Sequence, residues 1–146
     1  MRWFESSHPR FRSSPRAGTH RKGRDAFDHS PPRAGAEFLR SLVDAWHAGD
    51  ALRAAAHFAP DAVYREAGRE PLIGRAAITG HFTRFFRDGP VWRFEVDDIF
   101  TSGVRACVVY RFAVKGPGVE WRERAGCAVV GFDPSGSIAV WREYEG

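Results

Sequence analysis

Two hydrophobic rhythms divide the chain. From Ala36 onward, Phe38, Leu39, Leu42, Val43 and Trp46 recur at three- and four-residue spacing, which predicts an amphipathic helix. Gly49 ends it as a C-terminal glycine. Asp50 is placed to cap a short alanine-rich helix, with Leu52, Ala55, Ala56 and Phe58 as its expected buried positions and Pro60 as its stop. Residues 61–82, DAVYREAGREPLIGRAAITGHF, form the centre of the chain. Alternation over 62–66 predicts a half-buried strand, Gly68 and Pro71 mark a loop, and a third helix follows Gly74. Its stripe is Ile78, Phe82, Phe85 and Phe86, and it closes near Asp88-Gly89-Pro90.

After residue 90 the period becomes two. Strands are expected over 91–101, 104–115, 119–132 and 137–145, with turns at Gly116-Pro117-Gly118 and Asp133-Pro134-Ser135-Gly136. Helices first and hairpin-linked strands afterwards predict an α+β fold, a curved antiparallel sheet packed against three N-terminal helices.

Charge separates the chain into a tail, 1–35, and a folded domain, 36–146. The tail carries eight Arg/Lys against three Asp/Glu, a balance of +5; the domain carries fourteen against fifteen, a balance of −1. Rich in Pro, Ser, Gly and Arg and without apolar period, the tail reads as disordered. It is either a partner or nucleic-acid arm or upstream sequence from a misassigned start. The near-neutral domain argues against nucleic acid as its partner. Cys107 and Cys127 fall in strand-like apolar runs and read as buried free thiols. No apolar run reaches transmembrane length, and the N-terminus shows no signal-peptide core, so a soluble cytoplasmic protein is expected. His47, His57 and His81 show no metal-ligand spacing, and no phosphate loop, dinucleotide fingerprint or nucleophile elbow occurs. Neither metal nor cofactor is expected.

The element order, Ala48-Gly49-Asp50 after the first helix, FAPDAVYRE (58–66), PLIGRAAI (71–78) and GSIAVWREYEG (136–146) resemble the nuclear transport factor 2-like superfamily, nearest to its SnoaL-like branch. That branch includes polyketide cyclases, ketosteroid isomerases and limonene epoxide hydrolases. The resemblance implies a cone-shaped sheet with a pocket between its concave face and the helices, and a homodimer formed through the sheet. It sets Glu66 at the general-base position of the ketosteroid isomerases, but Leu42 where their helical tyrosine stands. Against the epoxide hydrolases, Arg111-Phe112-Ala113 keeps the arginine of an Arg-x-Asp pair and loses its aspartate, while Trp141-Arg142-Glu143-Tyr144 keeps the carboxylate of the final strand. These departures argue against both reactions by those routes.

Alternation sets Tyr64 with Glu66 and Trp141 with Glu143 on shared strand faces. The resemblance points both pairs, and Arg111, inward. Glu66 is then the expected base, made basic by desolvation, with Arg111 and Glu143 orienting the substrate. Trp46, Phe58, Phe82, Phe86 and Trp92 would wall a pocket for a flat apolar small molecule. The structural alternative pairs Arg111 with Glu143 as a buried cross-strand ion pair and leaves Glu66 at a solvated loop edge. Two functions stay open, namely proton-transfer isomerisation or cyclisation, and a non-catalytic dimeric interaction module.

Overall fold

The computed structural model describes residues 32–146 apart from Val119, with backbone only for residues 32–34. Most of the expected tail, residues 1–31, lies outside the described residues. Helix α1 (Pro32–His47) starts ahead of Ala36 on Pro32, whose missing N–H costs nothing in a first turn. Leu39, Leu42, Val43 and Trp46 form its buried stripe. Gly49 adopts φ 67°, and the Asp50 carboxylate accepts from the Arg53 N–H at 3.0 Å to cap α2 (Ala51–Ala55). Here the expectation of buried positions needs correcting. Ala54 and Ala55 are buried, Leu52 is 76% exposed, and Phe58 leaves the helix to begin a strand.

Strand β1 (Phe58–Arg65) is followed by the two-residue β2 (Leu72–Ile73) and by α3 (Arg75–Asp88). The Arg75 guanidinium donates from Nε and Nη2 to the Phe58 carbonyl at 2.8 and 2.6 Å. That carbonyl lies where β1 slips register, so the first residue of α3 is tied to the start of β1. Strands β3 (Trp92–Ser102), β4 (Arg105–Lys115), β5 (Trp121–Phe132) and β6 (Ile138–Glu145) complete a six-stranded sheet in the order β2-β1-β6-β5-β4-β3. Its pairings are antiparallel except β1 with β6, which is parallel. The fold is the expected α+β one, an open curved sheet with helices against its concave face.

The core lies between that face and the helices. Trp46 stands at its centre, edge-on to Phe82, Phe94 and Trp141 at 5.8, 5.3 and 5.4 Å. His57 is structural. Its Nδ1 lies 2.9 Å from the Arg53 carbonyl, which can only accept, so Nε2 receives the Ser41 hydroxyl at 3.1 Å. On the convex face Cys107 and Cys127 are free and half-buried rather than buried. Among the described residues no helix is long and apolar enough to cross a membrane.

Candidate functional site

Inner-face residues of the sheet and one flank of α3 enclose a cavity of about 540 Å³. Its apolar wall includes Trp46, Phe82, Phe86 and Trp92, all four expected there. Phe94 and Phe112 extend it along β3 and β4. Phe58 does not reach the cavity. It is fully buried behind Tyr64 and Phe82, with ring centroids 5.7 and 6.0 Å away. Trp141 is also fully buried and meets the site only through its indole N–H.

The inner end is acidic. Glu66 follows β1 at the lip of the loop, and its Oε2 accepts from the Tyr64 hydroxyl at 3.0 Å and from His81 Nε2 at 3.1 Å. Arg69 Nε lies 3.8 Å from the other oxygen, Oε1. Burial alone would push the Glu66 carboxyl up. The His81 hydrogen bond and attraction, the Tyr64 hydroxyl and Arg69 outweigh it and hold the carboxyl below its ordinary value, so Glu66 is ionised at neutral pH. Glu66 is therefore neither the freely solvated carboxylate of the bland expectation nor one made basic by desolvation.

Glu143 behaves oppositely. Its Oε2 accepts from Trp141 Nε1 at 2.9 Å. Burial, reinforced by the neighbouring Glu66 and Glu145 and only partly offset by the Trp141 and Ala67 N–H groups, pushes its carboxyl up to about 8. At neutral pH it keeps its proton. Beside it the Tyr110 hydroxyl donates to Glu145 Oε2 at 3.2 Å. Burial and the nearby carboxylates hold both the Tyr64 and Tyr110 phenols well above the ordinary range, so both stay protonated donors.

Arg111 is elsewhere, which corrects two expectations at once. Tyr110 and Phe112 take the inner face of β4, so alternation turns Arg111 outward. There it donates to Glu95 at 2.7 Å and to Asp97, displaced by the β3 register shift, at 3.0–3.1 Å. It neither lines the cavity nor pairs with Glu143.

Sequence reasoning overlooked Tyr110, Glu145, Arg122 and Arg124 and left His81 between a helix-surface position and a pocket-lining acid–base partner. Tyr110 and Glu145 come together through the registers Tyr110↔Gly126 and Gly126↔Glu145. His81 reaches Glu66 only once α3 docks against β1. Neither relation has a short-range signature.

Residues 39–141 match the family model of the SnoaL-like domain. No curated protein sequence matches the chain. Among solved structures it is similar to the epoxide hydrolase/cyclase-like enzyme SalBIII of pyran ring formation in the polyether salinomycin. The identity is 18%, over 78% of this chain and 92% of that one, with a TM-score of 0.68. An LEH-like epoxide hydrolase from M. tuberculosis aligns at 18% identity, over 79% of this chain and 84% of that one, with a TM-score of 0.68. An NTF2-like protein of unknown function from Cytophaga hutchinsonii aligns at 12%, over 77% and 89%, with a TM-score of 0.63. At these identities the structures establish the fold, and the match to more than half of the sequence establishes membership: the chain belongs to the SnoaL-like domain family.

Proposed function

We propose that this protein is a cofactor-independent enzyme of proton transfer, an isomerase or cyclase acting on an apolar small molecule. The observation carrying this reading is one cavity holding two carboxyl groups driven in opposite directions, Glu66 ionised and Glu143 protonated. Both Glu66 hydrogen bonds go to Oε2, which leaves Oε1 as the atom to take a proton. Glu143 delivers its proton to the substrate oxygen that gains charge. One proton leaves the substrate and one enters, which balances a tautomerisation, and solvent then takes the proton from Glu66 and returns one to Glu143 to reset the site. The same exchange closes a ring when the group deprotonated by Glu66 attacks within the molecule and Glu143 protonates the oxygen released. His81 and Tyr64 orient the base. The similarity to a cyclase-like enzyme and an epoxide hydrolase is compatible with this acid–base division.

The test is deuterium incorporation into cyclic ketones and enones in D₂O, followed by NMR, after a thermal-shift screen chooses those that bind. Wild type is expected to catalyse exchange, and Glu66→Gln to slow it by about 100-fold or more while melting cooperatively. Equal exchange by the two proteins would remove Glu66 from the mechanism. The rival module reading needs a cavity filled by its own side chains, and the open volume between Trp46, Phe82 and Glu143 supports the enzyme instead.

The reading includes a homodimer formed through the convex face, in the cytoplasm. Cross-strand registers bring Phe100, Cys107 and Val129 into one row and Val109, Cys127 and Tyr144 into the next. Phe100, Val129, Val140 and Tyr144 are exposed there. Arg111 is neutralised by Glu95 and Asp97 on the same face, so an identical surface is not repelled. Sedimentation velocity at micromolar concentration should give a dimer for wild type and a folded monomer for Val129→Glu/Val140→Glu. A monomeric wild type would end this part of the reading.

A further inference from the structure

Strand β5 outruns its neighbour. Residues 126–132 have β6 on one side and the Ala125 carbonyl accepts the Gly146 N–H, whereas 121–124 have β4 alone. Alternation continues through that free half. Trp121 and Glu123 face outward, with Arg93 over the Trp121 ring at 4.5 Å and Glu123 3.7 Å from Arg93 and 3.9 Å from Arg111. Arg122 and Arg124 face inward and line the cavity. Register sets Arg122 in line with Val114 and Trp92, and Arg124 in line with Phe112 and Phe94.

The carboxylates of this corner are spent on the other face, where Glu95 and Asp97 bind Arg111. Those inside are held deeper, Glu66 by Tyr64 and His81, Glu143 by Trp141 and Glu145 by Tyr110. Among the described residues Arg122 and Arg124 therefore have no carboxylate of their own within ion-pair distance. Two cations on one short strand segment repel each other, and they sit on the rim of an aromatic-walled cavity. A shared anion removes that repulsion.

We infer that the cavity takes a ligand with an apolar ring-bearing body and one carboxylate, the carboxylate gripped by Arg122 and Arg124 and the body laid along Trp92, Phe112 and Phe86. This rests on the reading above that the cavity is the working site. Guanidinium forks match a carboxylate in plane, and the three carboxyl groups at the inner end disfavour a doubly charged group. Ala128, the partner of Glu143, stands four residues along β5 from Arg124, so the carboxylate lies roughly 13 Å along the strand from the acid. The arginines thus select the substrate and set which carbon faces Glu66.

The probes are 4-(naphthalen-2-yl)butanoic acid and its methyl ester, titrated calorimetrically against wild type and Arg122→Gln/Arg124→Gln. Wild type should bind the acid about ten-fold more tightly than the ester, and the double variant should reduce that preference below about two-fold. Equal affinities in wild type, with the ester bound, would overturn the carboxylate assignment and leave the enzyme reading standing. A preference that survives in the double variant would overturn the role of these two arginines. Binding of neither probe would overturn both readings, because the apolar cavity itself would then be closed to ligands of this class.

Discussion

Glu143→Gln should make the protein more stable than wild type above pH 8 and leave it unchanged near pH 4. The folded chain holds the Glu143 proton up to about 8 against an ordinary value of 4.5. A carboxyl raised in this way contributes stability that is fully present below about 4.5 and lost as pH rises through about 8. The loss amounts to on the order of 5 kcal/mol between those limits, and an uncharged glutamine does not share it. Glu66 acts in the opposite sense. Its lowered carboxyl contributes stability above its ordinary range that is lost as pH falls through the folded value, and so shapes only the acid limb. Urea denaturation of both proteins across pH 4 to 9 measures the difference. Parallel curves over that range would mean that Glu143 titrates like a solvated carboxylate, and its role as the acid would fall with it.

Gly126→Ala should cost about 2–3 kcal/mol, although it adds one methyl group. Gly126 lies in β5 opposite both Tyr110 and Glu145, and a Cβ there would come within 2.5 Å of the Tyr144 carbonyl, 2.8 Å of Glu145 Cγ and 2.9 Å of the Tyr110 hydroxyl. The two side chains can yield, but the carbonyl belongs to the paired backbone of β6. Tyr110→Phe in the same chain should therefore recover only part of the loss. Full recovery would show that the phenol, and not the strand backbone, sets the close approach. A neutral Gly126→Ala would show that the β5–β6 end can shift freely.

Period alone locates α1, α3 and the four long strands to within a few residues, because each stripe has one apolar and one polar side. It fails where both sides are apolar. On β4, Cys107, Val109 and Ala113 alternate with Ala106, Val108, Tyr110 and Phe112, so nothing local shows that Arg111 faces out. A one-residue error of phase moves every side chain to the other face. Phe58 reads as helical because alanines precede it, yet its pairing with Ile138 draws it into the sheet. β2, with two residues, is too short to alternate. At the site, alternation sets Tyr64 with Glu66 and Trp141 with Glu143, and only the family resemblance turns those faces inward. What drives the two carboxyls apart is the His81 hydrogen bond to Glu66 and the burial of Glu143, neither of which strand period shows.

The parallel contact between β1 and β6 bears on how the molecule is made. Of the described strands, β6 leaves the ribosome last, yet it sits in the middle of the sheet between β1 and β5. Until it arrives, the α-helices with β1–β2 and the β3–β5 meander are two half-sheets, each exposing an unpaired edge. Trp141 and Glu143 travel on that same strand. The nascent chain thus completes its sheet and acquires Glu143 in a single late insertion, and a chain stalled before residue 138 would carry Glu66, an aromatic wall and two open edges prone to join those of other chains.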